Sequence, residues 1–410
     1  MKTLVACRAC GYPSLEPYCD LGEQPLANAF LTKEELKKPE AKYPLVLAHC
    51  PRCFLSQLTV AVNPETLYRE YHYASGHSPQ WVQHCHDLVR SVTLKKRIAV
   101  EIASNDGTLL KMLHEQGATA IGVEPATNLT RKYRADLKYL PEFFTEKTAR
   151  WIKTRYGKAD VIVAQNVIGH VDDIRGFLYA IKILLNPQRG FAVLEAPYLY
   201  AMLQRMEYPQ VYHEHLSYWS LLPLQRLAEE VGLMVKMVRP FPHIHGGTMR
   251  YYLQTVEKKA TYRSVNTRGM KVTRDIGKAD PSVPRLMRHE LEMQGMPGVP
   301  HAFDPTDRIQ ALQEELERYR GLTVWGYGAT AKSTVLMNAI SNANVVEAIV
   351  DDYPGKQGLY QPGTHIPIVE PMNMKDVYAM LVTAWNWGDA VKQRAETLGF
   401  KGTILNPFAA

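Results

Sequence analysis

The residues most committed to chemistry are four cysteines in two C-x-x-C pairs, Cys7-Arg8-Ala9-Cys10 and Cys50-Pro51-Arg52-Cys53. A residue suited to a tight, packed turn follows each pair, Gly11 or Phe54, and a knuckle of that shape aims two thiolates at one point. Four thiolates complete the tetrahedral shell of zinc and leave no open position, so Cys7, Cys10, Cys50 and Cys53 are expected to hold a structural Zn2+. The stretch between the pairs is longer than the common ribbon spacing and must contain a small substructure of its own. Cys19 and Cys85 are left over and read as small buried hydrophobes.

A second pattern lies where apolar runs end. Ile98-Ala99-Val100-Glu101-Ile102 reads as a buried strand, Ala103-Ser104-Asn105-Asp106-Gly107 as a turn, and the residues from Thr108 as a helix. The next strand, Ala120-Ile121-Gly122-Val123, ends in Glu124 and Pro125. Strand, turn, helix, strand and terminal acid form the first βαβ unit of a doubly wound sheet that binds an adenosine-containing cofactor, the acid accepting ribose hydroxyls. The turn has no G-x-G-x-x-G and so no diphosphate cradle; its polar edge suits S-adenosylmethionine. A further strand from Ala159 brings Asn166 and His170 to the same sheet end, where ligands bind. A structural hydrogen-bonding role for His170 stays equally open.

Tyr212-His213-Glu214-His215 invites a metal reading, but zinc proteases need H-E-x-x-H, with histidines four apart on one helical face. Here they are two apart and share a face only on a strand. Near the C-terminus, Gly326-x-Gly328-x-x-Ala331-Lys332 follows a strand and opens a helix. Taken alone this is a dinucleotide fingerprint and points to an NAD-dependent dehydrogenase or epimerase. Lys332 with Ser333 and Thr334 would equally hold the diphosphate of a sugar nucleotide at a helix N-terminus. His365 reads either as a functional residue or as one that structures its loop.

The elements around these groups set the architecture. The chain has 410 residues, room for several domains at roughly 100–200 residues each. At 46% hydrophobic and 22% charged residues it is an ordinary globular composition, neither disordered nor collagenous. Its apolar runs are too short to span a bilayer, which needs about 20 such residues, so no membrane role is expected. The start reaches Cys7 before a signal-peptide core could develop, and a cytoplasmic location is expected. A net charge of +7, with no basic cluster, does not single out nucleic acid and disfavours a zinc-ribbon nucleic-acid-binding protein. Around Lys332 and Arg250 it becomes a local preference for an anionic ligand. The stretch from 253 to about 305 reads as polar and irregular, and Ile309, Leu312, Leu316 and Tyr319 then mark a helix whose apolar stripe is core.

Along nearly its whole length the chain resembles the sugar C-methyltransferases of deoxysugar biosynthesis, of the tylosin- and tetronitrose-pathway type. The resemblance rests on the cysteine pairs, the stretch from Asp20 to Asn28, Tyr71 to Gly76, Glu101 to Gly107, Val123 to Pro125, Asn166 to His170, Tyr212 to Ser217, His245 to Thr248, Gly326 to Lys332, Pro362 to Ile368, and Ala384 to Asn386. It implies an α/β chain of three parts: a small zinc-binding module (1–80), a doubly wound S-adenosylmethionine methyltransferase domain (81–255) and a Rossmann-like domain (256–410) that helps hold a nucleotide sugar. The implied reaction is C-methylation, in known members usually at C3, beside a ketone of a dTDP- or GDP-linked 4-keto-6-deoxyhexose. The implied base is His215, with Tyr212 and Glu214 as positioning or enolate-stabilising partners, and His170, Tyr71 and Tyr73 elsewhere in the active site. Glu101, Ala103, Ser104, Asn105, Asp106, Gly107, Glu124, Pro125 and Asn166 would then bind cofactor. His245, Gly246, Thr248, Arg250, Gly326, Gly328 and Lys332 would bind substrate. Against the wider E-x-G-x-G-x-G pattern of methyltransferases, Ala103 and Asn105 replace two glycines, which shifts the backbone approach to the cofactor. A monomer or weak homodimer is expected. O- or N-methylation of a sugar is the alternative within the same class.

Overall fold

Short runs of Val, Ile and Ala must be buried on both faces, and those at Ile98–Ile102 and Val161–Gln165 form the middle of a seven-stranded sheet. The computed structural model describes residues 1–69, 71, 74–131, 136–256, 264–267, 270–273, 279–295 and 303–408. From one edge the sheet runs Lys138–Leu140, Thr119–Val123, Ile98–Ile102, Val161–Gln165, Phe191–Pro197, Thr248–Thr255 and Leu233–Phe241. The first five are parallel, and Thr248–Thr255 runs antiparallel to both of its neighbours. The chain leaves Ile98–Ile102 toward one edge and returns on the other side at Val161–Gln165. This reversal splays the two connections and opens a crevice at the carboxyl ends of the two strands.

The N-terminal module is an antiparallel sheet of Glu16–Pro25, Lys42–His49 and Ser56–Leu58, completed by Ser217–Tyr218 from the central part of the chain. A third sheet, of five parallel strands, is ordered Ile368–Val369, Val346–Val350, Val324–Tyr327, Ala379–Val382, Thr403–Leu405. It too reverses direction at its middle strand, Val324–Tyr327.

Two cores join these layers. Cys7, Cys50, Cys53 and Leu55 share a core with Ile162, Ala164 and Leu194 of the central sheet, while Phe30, Leu45, Leu47 and Leu58 share one with Val324 and Ile349 of the third sheet and Leu336 of its helix Ala331–Ala339. The N-terminal module is thus wedged between the other two sheets. Three polar contacts reinforce the wedge: Thr334 donates to the Ala27 carbonyl at 2.9 Å, Gly363 N–H to Glu40 at 2.9 Å, and Leu31 pairs with Tyr360. His365, at φ +58°, contacts Glu40 at 3.2 Å and is a loop-structuring residue.

One sequence expectation is overturned. The helix marked by Leu312 and Leu316 is present as Thr306–Glu317 with both residues buried, but the stretch before it is not wholly irregular. A hairpin pairs Ser264–Thr267 with Met270–Thr273, and Ser282–Gly295 is a helix. The helix buries Val283 and Met287 in the central core and sets the Glu290 carboxylate on the N–H groups of Leu221 and Leu222, capping helix Leu221–Val231. The periodicity was obscured by Pro284, which sits in the first turn where a missing N–H costs nothing. Among the described residues no helix is long and apolar enough to cross a membrane.

Candidate active site

Each cysteine knuckle closes on a backbone turn. Gly11 N–H donates to the Cys7 carbonyl at 2.9 Å and Phe54 N–H to the Cys50 carbonyl at 2.8 Å, with Gly11 and Phe54 both at positive φ. The four sulfurs lie within 4.8 Å of one another, with Cys7–Cys53 at 3.5 Å and Cys10–Cys50 at 3.6 Å. Four Zn–S bonds of about 2.3 Å put tetrahedral sulfurs roughly 3.8 Å apart, so the donor set fits zinc in both number and spacing.

The crevice of the central sheet opens into a cavity of about 790 Å³, within the range of small-molecule sites. Glu101, Ala103, Asn105, Glu124, Pro125 and Asn166 line it. Ala103, Asn105 and Asn166 adopt φ between +50° and +56°, left-handed backbone that turns the chain sharply at the strand ends. The Glu124 carboxylate is anchored by the N–H groups of Asn105 (2.7 Å) and Ala126 (2.8 Å). Glu101 Oε2 is buried without a hydrogen-bond partner, and burial, with Asp106 and Glu124 nearby, pushes its carboxyl well above the usual range. Such an orphaned acceptor calls for a ligand that carries positive charge, which the ammonium and sulfonium of S-adenosylmethionine supply.

Ser104, Asp106 and Gly107 do not reach the cavity wall. Ser104 is buried against Gly122, where an added Cβ would lie 2.5 Å from the hydroxyl, and Gly107, at φ +80°, starts helix Thr108–Glu115. The Asp106 carboxylate accepts from Gly76 N–H at 2.8 Å and from the Thr108 hydroxyl at 2.8 Å, while Asn105 Oδ1 accepts from Ser75 N–H at 2.8 Å. The polar edge of the turn therefore clamps the loop at 74–77 over the crevice instead of presenting all its side chains to a cofactor. Nearby, the Tyr71 backbone is held in both directions by the Asn128 side chain.

Beside the crevice lies a polar cluster with an ordered hydrogen-bond direction. The Gln210 carbonyl can only accept, so the proton of neutral His215 sits on Nδ1, 3.2 Å away, and Nε2 accepts from the Tyr212 hydroxyl at 2.6 Å. The Tyr68 hydroxyl donates to the Glu214 carbonyl at 3.2 Å, so His170 Nδ1–H donates to Tyr68 at 3.0 Å and His170 Nε2 keeps its lone pair. The two imidazole rings meet edge to face at 4.9 Å. Burial lowers His170 to about 4; burial, then the charges of His170 and Lys332, take His215 well below 6.5, so both are neutral at neutral pH. Glu214 accepts from Asn28 at 2.6 Å and from Tyr71 at 3.0 Å, and burial pushes it up to about 7 in spite of both bonds. Tyr73 lies outside the described residues.

The third sheet supplies the far wall. Lys332, in the first turn of helix Ala331–Ala339, reaches into the cavity between the His245 carbonyl (3.4 Å) and the Asn386 side chain, and burial lowers it to about 8. His245 also lines the cavity, tilted against Trp81.

Three family models tile the chain: a zinc binding domain over residues 7–68, a methyltransferase domain over 81–236 and a C-methyltransferase C-terminal domain over 243–407. The C-methyltransferase NovU of Streptomyces niveus is 29% identical over 422 aligned residues, covering 99% of this chain and 96% of that one. Together these matches support a C-methyltransferase with an N-terminal zinc-binding domain. Solved structures with a likeness to it include magnesium protoporphyrin IX methyltransferase of Synechocystis PCC 6803 with bound S-adenosylhomocysteine (11% identity, 43% of this chain and 83% of that one, TM-score 0.35). Another is the mitomycin 7-O-methyltransferase MmcR (16%, 43% and 54%, TM-score 0.34).

The methyltransferase domain takes S-adenosylmethionine as its cofactor, and the four cysteines fit a structural zinc. The turn of the C-terminal glycine pattern is tied to the end of the next strand. Ala329 N–H is taken by Asp351 at 2.8 Å, and Lys356 bonds the Ala329 carbonyl at 2.7 Å and pairs with Asp351 at 3.5 Å. Gly328, at φ +103°, lets the turn approach Ala384, and Gly326 is buried in its strand beside Ile349.

Arg250 also needs correction as a ligand-binding cation. Its side chain is 2% exposed and paired with fully buried Glu195, which also bonds His84 at 2.8 Å and Gln165 at 3.0 Å. Thr248 donates to the Ile244 carbonyl, and Gly246 makes room for Glu207, Gln210 and Asn386. Sequence reasoning missed Asn28 and Tyr68, which fix Glu214 and His170. Asn28 ended a motif already noted as a family match, but Tyr68 carried no signal.

Proposed function

We propose that the enzyme methylates a carbon beside a ketone, C3 of a dTDP- or GDP-linked 4-keto-6-deoxyhexose, in deoxysugar biosynthesis. The observation that carries this reading is a pair of buried neutral imidazoles, His170 and His215, in one cavity with the cofactor crevice and Lys332. Oxygen is nucleophilic as it stands, whereas a carbon first has to lose a proton to a positioned base. His215 is that base. Its Nδ1–H is fixed by Gln210, so its lone pair lies at Nε2, toward the cavity-lining Tyr212.

S-adenosylmethionine, held along Glu101, Asn105, Glu124 and Asn166, supplies an electrophilic methyl group on a sulfonium. Tyr71 and Glu214 position the reacting ring. Lys332 and His245 face the anionic part of the substrate, and their positive and N–H groups stabilise negative charge that would otherwise depend on water. Trp81, Phe143, Phe144 and Trp385 on the cavity wall keep water from the reacting carbon.

Incubation of dTDP- and GDP-linked 4-keto-6-deoxyhexoses with enzyme and S-adenosylmethionine, followed by mass spectrometry, tests the proposal. It predicts a gain of one methyl mass on one nucleotide class. Methylation only of sugars that lack a ketone would contradict it and favour O- or N-methylation.

A further inference from the structure

We propose that the Tyr212 hydroxyl is a catalytic proton carrier: it takes the carbon-bound proton of the substrate while passing its own proton to His215 Nε2. The inference deepens the reading of His215 as the base and rests on it. Both ends of the His215 ring are already engaged. Nδ1–H is held by the Gln210 carbonyl at 3.2 Å, and the Nε2 lone pair accepts the Tyr212 proton at 2.6 Å. Direct attack by Nε2 on a substrate C–H would need the Tyr212 hydroxyl to swing away. The two rings stack at 4.0 Å between centroids with a tilt of 35°, which ties them together. Both side chains line the cavity, whereas the Gln210 side of the imidazole is buried.

The C–H electron pair becomes the carbon–carbon π bond of the enolate as the carbonyl π pair moves to oxygen. The departing proton bonds to Tyr212 Oη. The original Tyr212 proton bonds to the lone pair of His215 Nε2, leaving a neutral phenol and an imidazolium. No phenolate has to exist at any point.

The test is release of tritium from the carbon beside the ketone of the methyl-accepting dTDP- or GDP-linked 4-keto-6-deoxyhexose. It is measured with S-adenosylhomocysteine in place of the methyl donor, in H2O and in D2O. Through Tyr212 an exchangeable O–H proton is in flight, so wild type releases tritium more slowly in D2O. Tyr212→Phe and His215→Asn each lose release by roughly 10²- to 10⁴-fold, and the double variant loses no more than either single one, because the two groups act as a unit. Retained S-adenosylhomocysteine binding shows that each variant is folded. If Tyr212→Phe releases tritium at near the wild-type rate while His215→Asn does not, or wild type shows equal rates in both solvents, the carrier role is overturned and the base assignment stands. If His215→Asn releases tritium as fast as wild type, or wild type releases none, the base assignment itself falls, and the carrier role with it.

Discussion

Replacing Arg250 by methionine removes a guanidinium from a place without solvent. The Arg250 side chain is 2% exposed and that of Glu195 is 0%, and the guanidinium also lies 4.5 Å from the Phe241 ring centroid. Methionine fills much of the volume but leaves Glu195 with only His84 and Gln165. Breaking a buried pair from one side costs about 3–5 kcal/mol. For a cooperative unit of roughly 150–250 residues, at about 2–4 °C per kcal/mol, the loss is ~6–20 °C in Tm. Burial pushes the Glu195 carboxyl up, but His84 and Arg250 outweigh it and hold the group below its ordinary 4.5. Its contribution to stability is therefore present above pH 4.5 and lost as pH falls through the lower folded value, and in the variant that acid edge moves upward. Thermal unfolding by circular dichroism reads the stability, and calorimetry with S-adenosylhomocysteine and the 4-ketosugar reads binding. Affinities that hold while Tm falls support the structural role. A Tm shift under about 2 °C together with a tenfold loss of ketosugar affinity would refute it, since the guanidinium would then belong to the ligand site. The double substitution Glu195→Leu, Arg250→Met recovers part of the loss, because no charge is left stranded.

Further outcomes follow from the same geometry. Asn28→Ala removes one donor from Glu214, so its titration moves above about 7; an unchanged pH profile of kcat/KM would contradict its coupling to the reaction. Burial lowers His170 to about 4 and His245 to about 3, so both take up protons on unfolding below 6.5. Stability measured by urea unfolding falls as pH drops from 6.5 toward those values, by up to about 1.4 kcal/mol per pH unit for each group, and His170→Asn flattens the slope. Zinc chelation, or Cys53→Ser, unravels the module that carries Asn28 and Tyr68, so tritium release is lost while S-adenosylhomocysteine still binds the central crevice. Undiminished release after verified zinc loss would overturn the scaffolding role.

What the sequence discloses here depends on how local the cause is. The cysteine knuckles and the βαβ unit around Glu101 and Glu124 are set by neighbours within a few residues, and both are present at the expected positions. Partnerships across the chain are not legible. Arg250 and Glu195 are ordinary charges in the text and become a buried pair only once Thr248–Thr255 lies antiparallel to Phe191–Pro197. Asn105 and Asp106 sit at the strand-to-helix turn as expected, but their carboxamide and carboxylate meet Ser75 and Gly76 from the N-terminal part of the chain. Ser217–Tyr218 is too short to stand out as a strand, yet it joins the central part of the chain to that module. The Gly326-x-Gly328 pattern is legible as a strand-to-helix turn, while the pairing of Asp351 with Lys356 depends on a residue well downstream.

The central claim is that the new bond is carbon to carbon, and S-adenosylmethionine labelled with 13C in the methyl group tests it most directly. With a 4-ketosugar labelled with 13C at C3, the product is predicted to show one-bond carbon–carbon coupling between the methyl and C3 in its NMR spectrum. A methyl signal without that coupling, at the shift of an O- or N-methyl group, would contradict it.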